Sequence, residues 1–310
     1  MLTEELIVDW AEACGIEEIG FHDASPHEEW LSILNKRRDE GRVTDFENVA
    51  PEERIDYQKT FPEIKTVIVA AIPVSLGTTM PKDMTNRGRM AAVAWGRDYH
   101  FRVKEKMTAL GERIREAVPE CHFQVYVDNS RLLDRASAWR AGLGFFGKNN
   151  LLINPRYGSF FFIGQLLLDQ VVRFEEKSPL ESQCGECTRC LKACPGSALE
   201  DGFTLDPQRC ISYLTQKKVL LPEEEERIKD YLYGCDLCQL SCPFNQEMLK
   251  GLSEGGDSQM IYPDLDWIIQ MSQREFKGLF GQTAAGWRGK KVLARNAAII
   301  KNRRKNCDNR

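Results

Sequence analysis

The run Cys184-x2-Cys187-x2-Cys190-x3-Cys194-Pro195, the single Cys210 and the run Cys235-x2-Cys238-x3-Cys242-Pro243 place eight of the chain's 11 cysteines within 59 residues. Thiolate sulfur suits iron, and eight such ligands suffice for two four-iron clusters. In two-cluster bacterial ferredoxins the fourth cysteine of each run ligates the cluster built mainly by the other run. The spacing therefore assigns Cys184, Cys187, Cys190 and Cys242 to one cluster. Cys194, Cys210, Cys235 and Cys238 fall to the other. The crossing of Cys194 and Cys242 requires the two runs to fold face to face. Two zinc sites built from the CxxC pairs are the competing reading, and the closely spaced first run argues against it. The chemistry implied is transfer of single electrons. Cys14 and Cys121 sit beside apolar stretches and read as core thiols, and Cys307 also falls outside the pattern.

A second set of residues could use those electrons. Asp128 closes the apolar stretch Val125-Tyr126-Val127, and a partly shielded carboxyl at a strand end can act as a proton donor. The alternative is that it caps the following helix. The stretch Gly142-Leu-Gly-Phe-Phe-Gly-Lys-Asn-Asn packs three glycines and a lysine into a loop, where backbone could approach a bulky ligand closely. It does not follow a nucleotide-binding fingerprint in order. Trp95-Gly-Arg-Asp-Tyr-His100 joins an aromatic ring to polar groups. None of the four histidines falls in a metal-binding doublet, and His100 reads as a hydrogen-bonded structural residue.

These residues need a scaffold, and the first ~175 residues alternate helical and strand patterns. Helix Leu2–Cys14 precedes a strand at Ile16–Phe21 and a polar helix at Glu28–Glu40. The β-branched run Thr66–Val74 reads as a buried strand. A helix over His100–Val118 leads to strand Phe123–Val127. Helix Leu132–Ala141 stops at Gly142 and Gly144, and Gly158–Asp169 is a long apolar strand. The fold class expected is α+β: a layered α/β domain over 1–175, a two-cluster ferredoxin-like module over 176–250, and a short helical, basic segment over 251–310. Phe174–Gln183 reads as one linker and 251–263 as a second. The acidic stretch Glu223–Glu226 reads as a solvated loop or helix start. The tail carries Trp267, Ile268, Met271, Phe276 and Phe280 as its apolar stripe.

No run of about 18 apolar residues exists, so no membrane partner is expected. The acidic, amphipathic N-terminus lacks the basic start and apolar run of a secretory signal. Eight thiolate ligands then point to the reducing cytoplasm. The net charge of −4 argues against a general polyanion binder, but the charge is uneven. Gly286 to Arg310 holds nine Lys/Arg and one acid, leaving 33 basic against 45 acidic residues elsewhere. That end could meet a phosphate backbone, or could be a solvated tail.

Taken together, WGRDYH (95–100), VDNSRLLDRASAWRAGLGFFGKNNLLI (127–153), YGSFFFIGQLLLD (157–169), the cysteine runs, RCISYLTQ (209–216) and GWRGKK (286–291) resemble the epoxyqueuosine reductases. The resemblance covers about 54 to 295, in order. It implies a cobalamin-dependent, iron–sulfur oxidoreductase that completes queuosine biosynthesis in tRNA by reducing an epoxide to an alkene. It implies electrons from an external donor passing through two [4Fe-4S] clusters to cobalamin, with Asp128 protonating the departing oxygen. Cobalamin contacts carry over to Arg54, Asp128, Leu152, Ile163, Ser212, Cys235 and Asp236. No Asp-x-His-x-x-Gly stretch is present to supply a lower ligand. Where some relatives carry a cysteine before the WG-[K/R]-DYH motif, this chain has Ala91. Many relatives continue into a helical-repeat domain that holds the tRNA. Here the grip on the anticodon stem-loop is expected from the basic tail and Lys217-Lys218, with Trp287 and Trp95 as stacking candidates, although each reads first as a core residue. The expected state is a monomer. A reductive dehalogenase and a bare two-cluster electron carrier are the rival readings.

Overall fold

The computed structural model describes residues 1–74, 76, 80–128, 130–250 and 258–308. Two compact units emerge, Met1–Pro73 with His100–Glu186, and Val74–Tyr99 with Cys187–Arg310.

In the first unit, strands β1 (Ile19–Asp23), β2 (Thr66–Pro73), β3 (Phe123–Tyr126) and β4 (Phe161–Leu168) form one sheet in the order β1-β2-β4-β3. All three pairings are antiparallel. The run Thr66–Pro73 is continuously apolar because both faces of the sheet are covered. On one face Ile68, Ala70, Ile72, Leu166 and Leu168 share a core with two helices. These are α1 (Glu4–Ala13), through Ile7 and Ala11, and α2 (Tyr99–Ala117), through Val103, Met107, Leu110 and Ile114. Gly164 permits that packing: a Cβ there would stand 2.7 Å from Val103 Cγ1 and 2.8 Å from Met107 Cγ. Alternate residues point to the other face, where α3 (Asp134–Arg140) lies. There His22 Nε2 is 2.8 Å from Ser137 Oγ, and Gln165 donates to Asp134.

Elements follow the sequence expectation with shifted ends. The first strand begins at Ile19 instead of Ile16, because the Ile16 N–H is spent on Ala11 O (2.8 Å) just past a left-handed Gly15 that ends α1. Helix α3 begins at Asp134, two residues after the expected start, since Leu132 N–H is held by Ser130 Oγ.

In the second unit, Arg89–Met90 pairs in parallel with β5 (Tyr231–Tyr233). Short helices α4 (Arg189–Ala193), α5 (Ile211–Leu214) and α6 (Leu237–Leu240) carry the cysteine region. Then follow α7 (Leu265–Gln270), α8 (Gln273–Phe280) and α9 (Lys290–Asp308). The expected stripe is split between α7 and α8, where Ser272 caps α8 in a reciprocal pair with Glu275. Ile268, Met271, Phe276 and Phe280 are buried as the stripe requires. Of the linker expected over 251–263, residues 251–257 lie outside the described residues. The remainder corrects the expectation: Ser258–Ile261 is a helical turn, and Ile261 and Tyr262 are buried. The acidic stretch starts a helical turn, with Glu224 buried against Lys217 Nζ at 2.6 Å. Among the described residues no helix is long and apolar enough to cross a membrane.

Candidate active site

Asp128 stands two residues beyond β3 in the left-handed region (φ 47°), a conformation that aspartate tolerates better than most residues. Its side chain is 58% exposed, so the expected partial shielding is not what the structure shows. The capping alternative also falls away. The N-cap of α3 is Leu133, and Asp128 lies five residues before it. What faces the carboxyl is His100 on the first turn of α2, its Nε2 3.8 Å from Asp128 Oδ2.

The more enclosed carboxyl of this region is the half-buried Asp134. Burial pushes its pKa up to about 7, the Asp128 charge adds to the rise, and the Gln165 amide, Arg54 and Arg135 oppose it. Behind Asp134 runs a buried polar network. Tyr57 Oη donates to Gln165 Oε1 (3.2 Å), so His27 Nε2, 3.0 Å from Tyr57 Oη, must be the donor there. Burial pushes the His22 and His27 pKa values down to about 3, which keeps both rings neutral.

The other expected contacts of this unit are dispersed along its framework. Arg54 donates to Glu47 Oε2 (2.8 Å) and to Arg131 O (3.4 Å). Leu152 is buried in the short hairpin with Phe145–Phe146, and Ile163 is half-buried on β4 opposite Ala71. The glycines before Leu152 serve that hairpin. A Cβ on Gly144 would stand 2.6 Å from Ile153 O, and one on Gly147 would stand 2.5 Å from Ile153 Cδ1. At these two glycines the close approach is chain against chain. The same loop supplies Lys148 N–H to Cys184 Sγ at 3.4 Å, and leaves the buried Asn149 Nδ2 without a hydrogen-bond partner.

In the second unit burial raises the pKa values of Cys210, Cys235 and Cys238, lifting Cys235 to about 12, and neighbouring thiols, Cys194 among them, add to each rise. Thiolates so placed repel, and a bound cationic metal centre relieves both the repulsion and the desolvation. Backbone donors are already aimed at sulfur: Ala198 N–H at Cys194 (3.3 Å), Ser212 and Tyr213 N–H at Cys210, and Leu237 N–H at Cys235. Helices α4 and α6, carrying Cys190 and Cys238, pack together, as face-to-face runs require. Cys187 is half-buried, and Cys190 and Cys242 are buried. Ser212 lies in α5. Asp236 is buried, its carboxylate accepting from Ala92 N–H (2.7 Å) and Gln239 Nε2 (3.0 Å). Burial raises its pKa to about 6.

Three arginines of the basic tail are bonded within the chain. Arg304 donates to the carbonyls of Met84 (2.9 Å), Thr85 (3.0 Å) and Arg87 (3.0 Å) and to Asp230 Oδ1 (2.7 Å). Arg303 holds Ile228 O (2.6 Å) and Asp230 (3.2 Å). Arg295 holds Lys217 O and Lys218 O. The two tryptophans part company. Trp95 is half-buried, its N–H given to Met90 O, whereas Trp287 is 53% exposed.

With this geometry in hand, comparison with known proteins is specific. The family model for epoxyqueuosine reductase QueG matches residues 54–129, and that for a 4Fe-4S double cluster binding domain matches residues 183–245. An epoxyqueuosine reductase of Listeria monocytogenes is 39% identical over 310 residues, covering 96% of this chain and 80% of that protein. The chain belongs to the epoxyqueuosine reductase family. It is an oxidoreductase. A crystal structure of an epoxyqueuosine reductase with an epoxyqueuosine-modified tRNA-Tyr stem loop superposes with a TM-score of 0.90 at 34% identity, covering 98% of this chain and 82% of that one. The Bacillus subtilis epoxyqueuosine reductase, seen with an aspartate-bearing catalytic loop swung out of its active site, gives 0.89 at 33% identity, covering 98% and 82%. A family match that spans the first unit as well as the cysteine region removes the bare electron carrier. Sequence reasoning undervalued His100, and it missed Asp134. The cue for Asp134 was a second acid six residues after the first, at the start of a helix.

Proposed function

We propose that this chain reduces epoxyqueuosine in tRNA to queuosine, the epoxide taking up two electrons and two protons to leave an alkene and water. The observation that carries this reading is the carboxyl of Asp128, carried on a left-handed turn and faced by His100. An oxygen leaving carbon develops negative charge, and a carboxyl within reach stabilises its departure by giving it a proton. Asp128 is that donor. His100 Nε2 faces Asp128 Oδ2 at ion-pair distance and biases its orientation.

Iron would be held by Cys184, Cys187, Cys190 and Cys242 in one cluster and by Cys194, Cys210, Cys235 and Cys238 in the other. The mutual crowding of the second set and its backbone donors support the assignment. Cobalamin would be held through Arg54, Asp128, Leu152, Ile163, Ser212, Cys235 and Asp236. The residues fit the group. Half-buried Ile163 offers apolar surface, buried Leu152 would contribute through its backbone, and the unsatisfied Asn149 Nδ2 suits an amide carbonyl of the corrin rim. With its carboxylate spent on Ala92 and Gln239, Asp236 would contribute through its backbone. When bound, the group supplies a redox-active cobalt of low potential. The relative bound to a modified stem loop supports tRNA as the substrate. The reading has a monomer working in the cytoplasm with an external electron donor.

The test is Asp128→Ala, loaded with iron and cobalamin under anaerobic conditions. It should keep both chromophores and lose about a hundredfold or more of its turnover of an epoxyqueuosine stem-loop. Turnover at the wild-type rate would remove Asp128 from the acid role.

A further inference from the structure

Trp287 is the exposed aromatic whose surroundings call for explanation. Its indole is 53% exposed, yet its N–H is held twice, by Gln216 Oε1 (3.1 Å) and by the hydroxyl of buried Tyr233 (3.0 Å). Gln216 is itself tied to Ser212 O (2.9 Å). The scaffold beneath is rigid: Asn296 of α9, fully buried, donates to Thr215 O (2.7 Å) and Leu232 O (2.8 Å). The ring is therefore fixed in one orientation while half of it meets water. The guanidinium of Arg288 stacks over it, Cζ 3.8 Å from the ring centroid. A single exposed aromatic is ordinary. An exposed aromatic pinned through its N–H and paired with a stacked planar cation is a prepared surface.

The surrounding charge says what kind of partner fits. Arg288, Lys290 and Lys291 follow Trp287 with no acid among residues 284–307. Exposed Lys218 lies two residues beyond Gln216. A half-exposed indole with a guanidinium stacked over one face, and lysines close by in the chain, suits an unpaired nucleobase with its flanking phosphates. We infer that Trp287 and Arg288 form a stacking platform for an unpaired base of the RNA substrate. This rests on the reading of tRNA as substrate and adds where the RNA is gripped. The platform is a binding element and takes no part in the chemistry.

The test uses anaerobically loaded protein and an anticodon stem-loop RNA carrying epoxyqueuosine, with affinity measured across salt concentrations. Trp287→Ala should raise Kd roughly tenfold, as loss of one stacked base does, and Trp287→Phe should stay within about threefold. Arg288→Gln should weaken binding and lower the salt slope by about one contact. In all three, KM for RNA should rise with kcat unchanged. Because Trp287→Ala also removes a hydrogen bond to Tyr233, iron content and Tm are measured alongside. Trp287→Phe and Arg288→Gln keep the idea exposed if the alanine variant unfolds. Wild-type RNA affinity in folded Trp287→Ala, or an unchanged salt slope in Arg288→Gln, overturns the platform alone and would be expected if the patch served a protein partner. Failure of the wild-type protein to bind the stem-loop overturns the substrate reading and the platform together.

Discussion

His100 Nε2 lies 3.8 Å from Asp128 Oδ2, joining the first turn of α2 to the turn that follows β3. The imidazole is close enough to bias the carboxyl's orientation through charge. His100→Phe should lower kcat about tenfold, less than loss of the acid itself, while KM for RNA and cofactor content hold. His100→Gln should recover part of the rate by orienting the carboxyl. Unchanged kcat in His100→Phe would reduce the pairing to a surface contact.

Asp134 makes stability depend on pH. Its pKa is raised to about 7 by burial and by Asp128. Between the ordinary carboxylate range and about 7 the folded chain keeps a proton that the unfolded chain gives up. The stability carried by this group is therefore full at low pH and is lost as pH rises through about 7. From pH 6 to pH 8 the loss should be about 1 kcal/mol. Asp134→Asn, which still accepts from Gln165, should flatten that decline. Thermal melts of both proteins at the two pH values decide it, and parallel declines would refute the assignment.

The arginines of α9 act as staples. Arg304→Ala would remove the guanidinium that bonds three carbonyls and Asp230, and should cost about 2 kcal/mol, read as a fall in Tm. RNA affinity of the folded variant should stay near wild type. Weakened RNA binding at unchanged Tm would restore the tail as a nucleic-acid grip.

The cysteine assignment predicts iron stoichiometry. Cys238→Ser should take iron from about eight to about four per chain, because Cys238 crowds Cys194, Cys210 and Cys235. Cys121→Ser, in the core of the first unit, should leave iron unchanged. Equal iron in Cys238→Ser and wild type would dismiss the second cluster set.

Much of this was legible in the residues. Strong periodicity and β-branched runs located every strand of the main sheet to within a few residues, since local pattern dictates burial there. Cysteine spacing was legible because cluster geometry fixes it. The pairing of Arg89–Met90 with Tyr231–Tyr233 was not, because a two-residue strand has no period to read. Nor was the pairing of His100 with Asp128, or the closer enclosure of Asp134 than of Asp128. Each depends on contacts between segments far apart in sequence, which local pattern does not encode. The arginines of α9 misled for a related reason: charge counts cannot tell a cation facing water from one bonded to three carbonyls.

The most direct test is nucleoside mass spectrometry of epoxyqueuosine-containing tRNA incubated anaerobically with the iron- and cobalamin-loaded protein and a reductant. The account predicts that epoxyqueuosine disappears and that queuosine, one oxygen atom lighter, appears in step, only when reductant is present. Epoxyqueuosine left intact by fully loaded protein would contradict it.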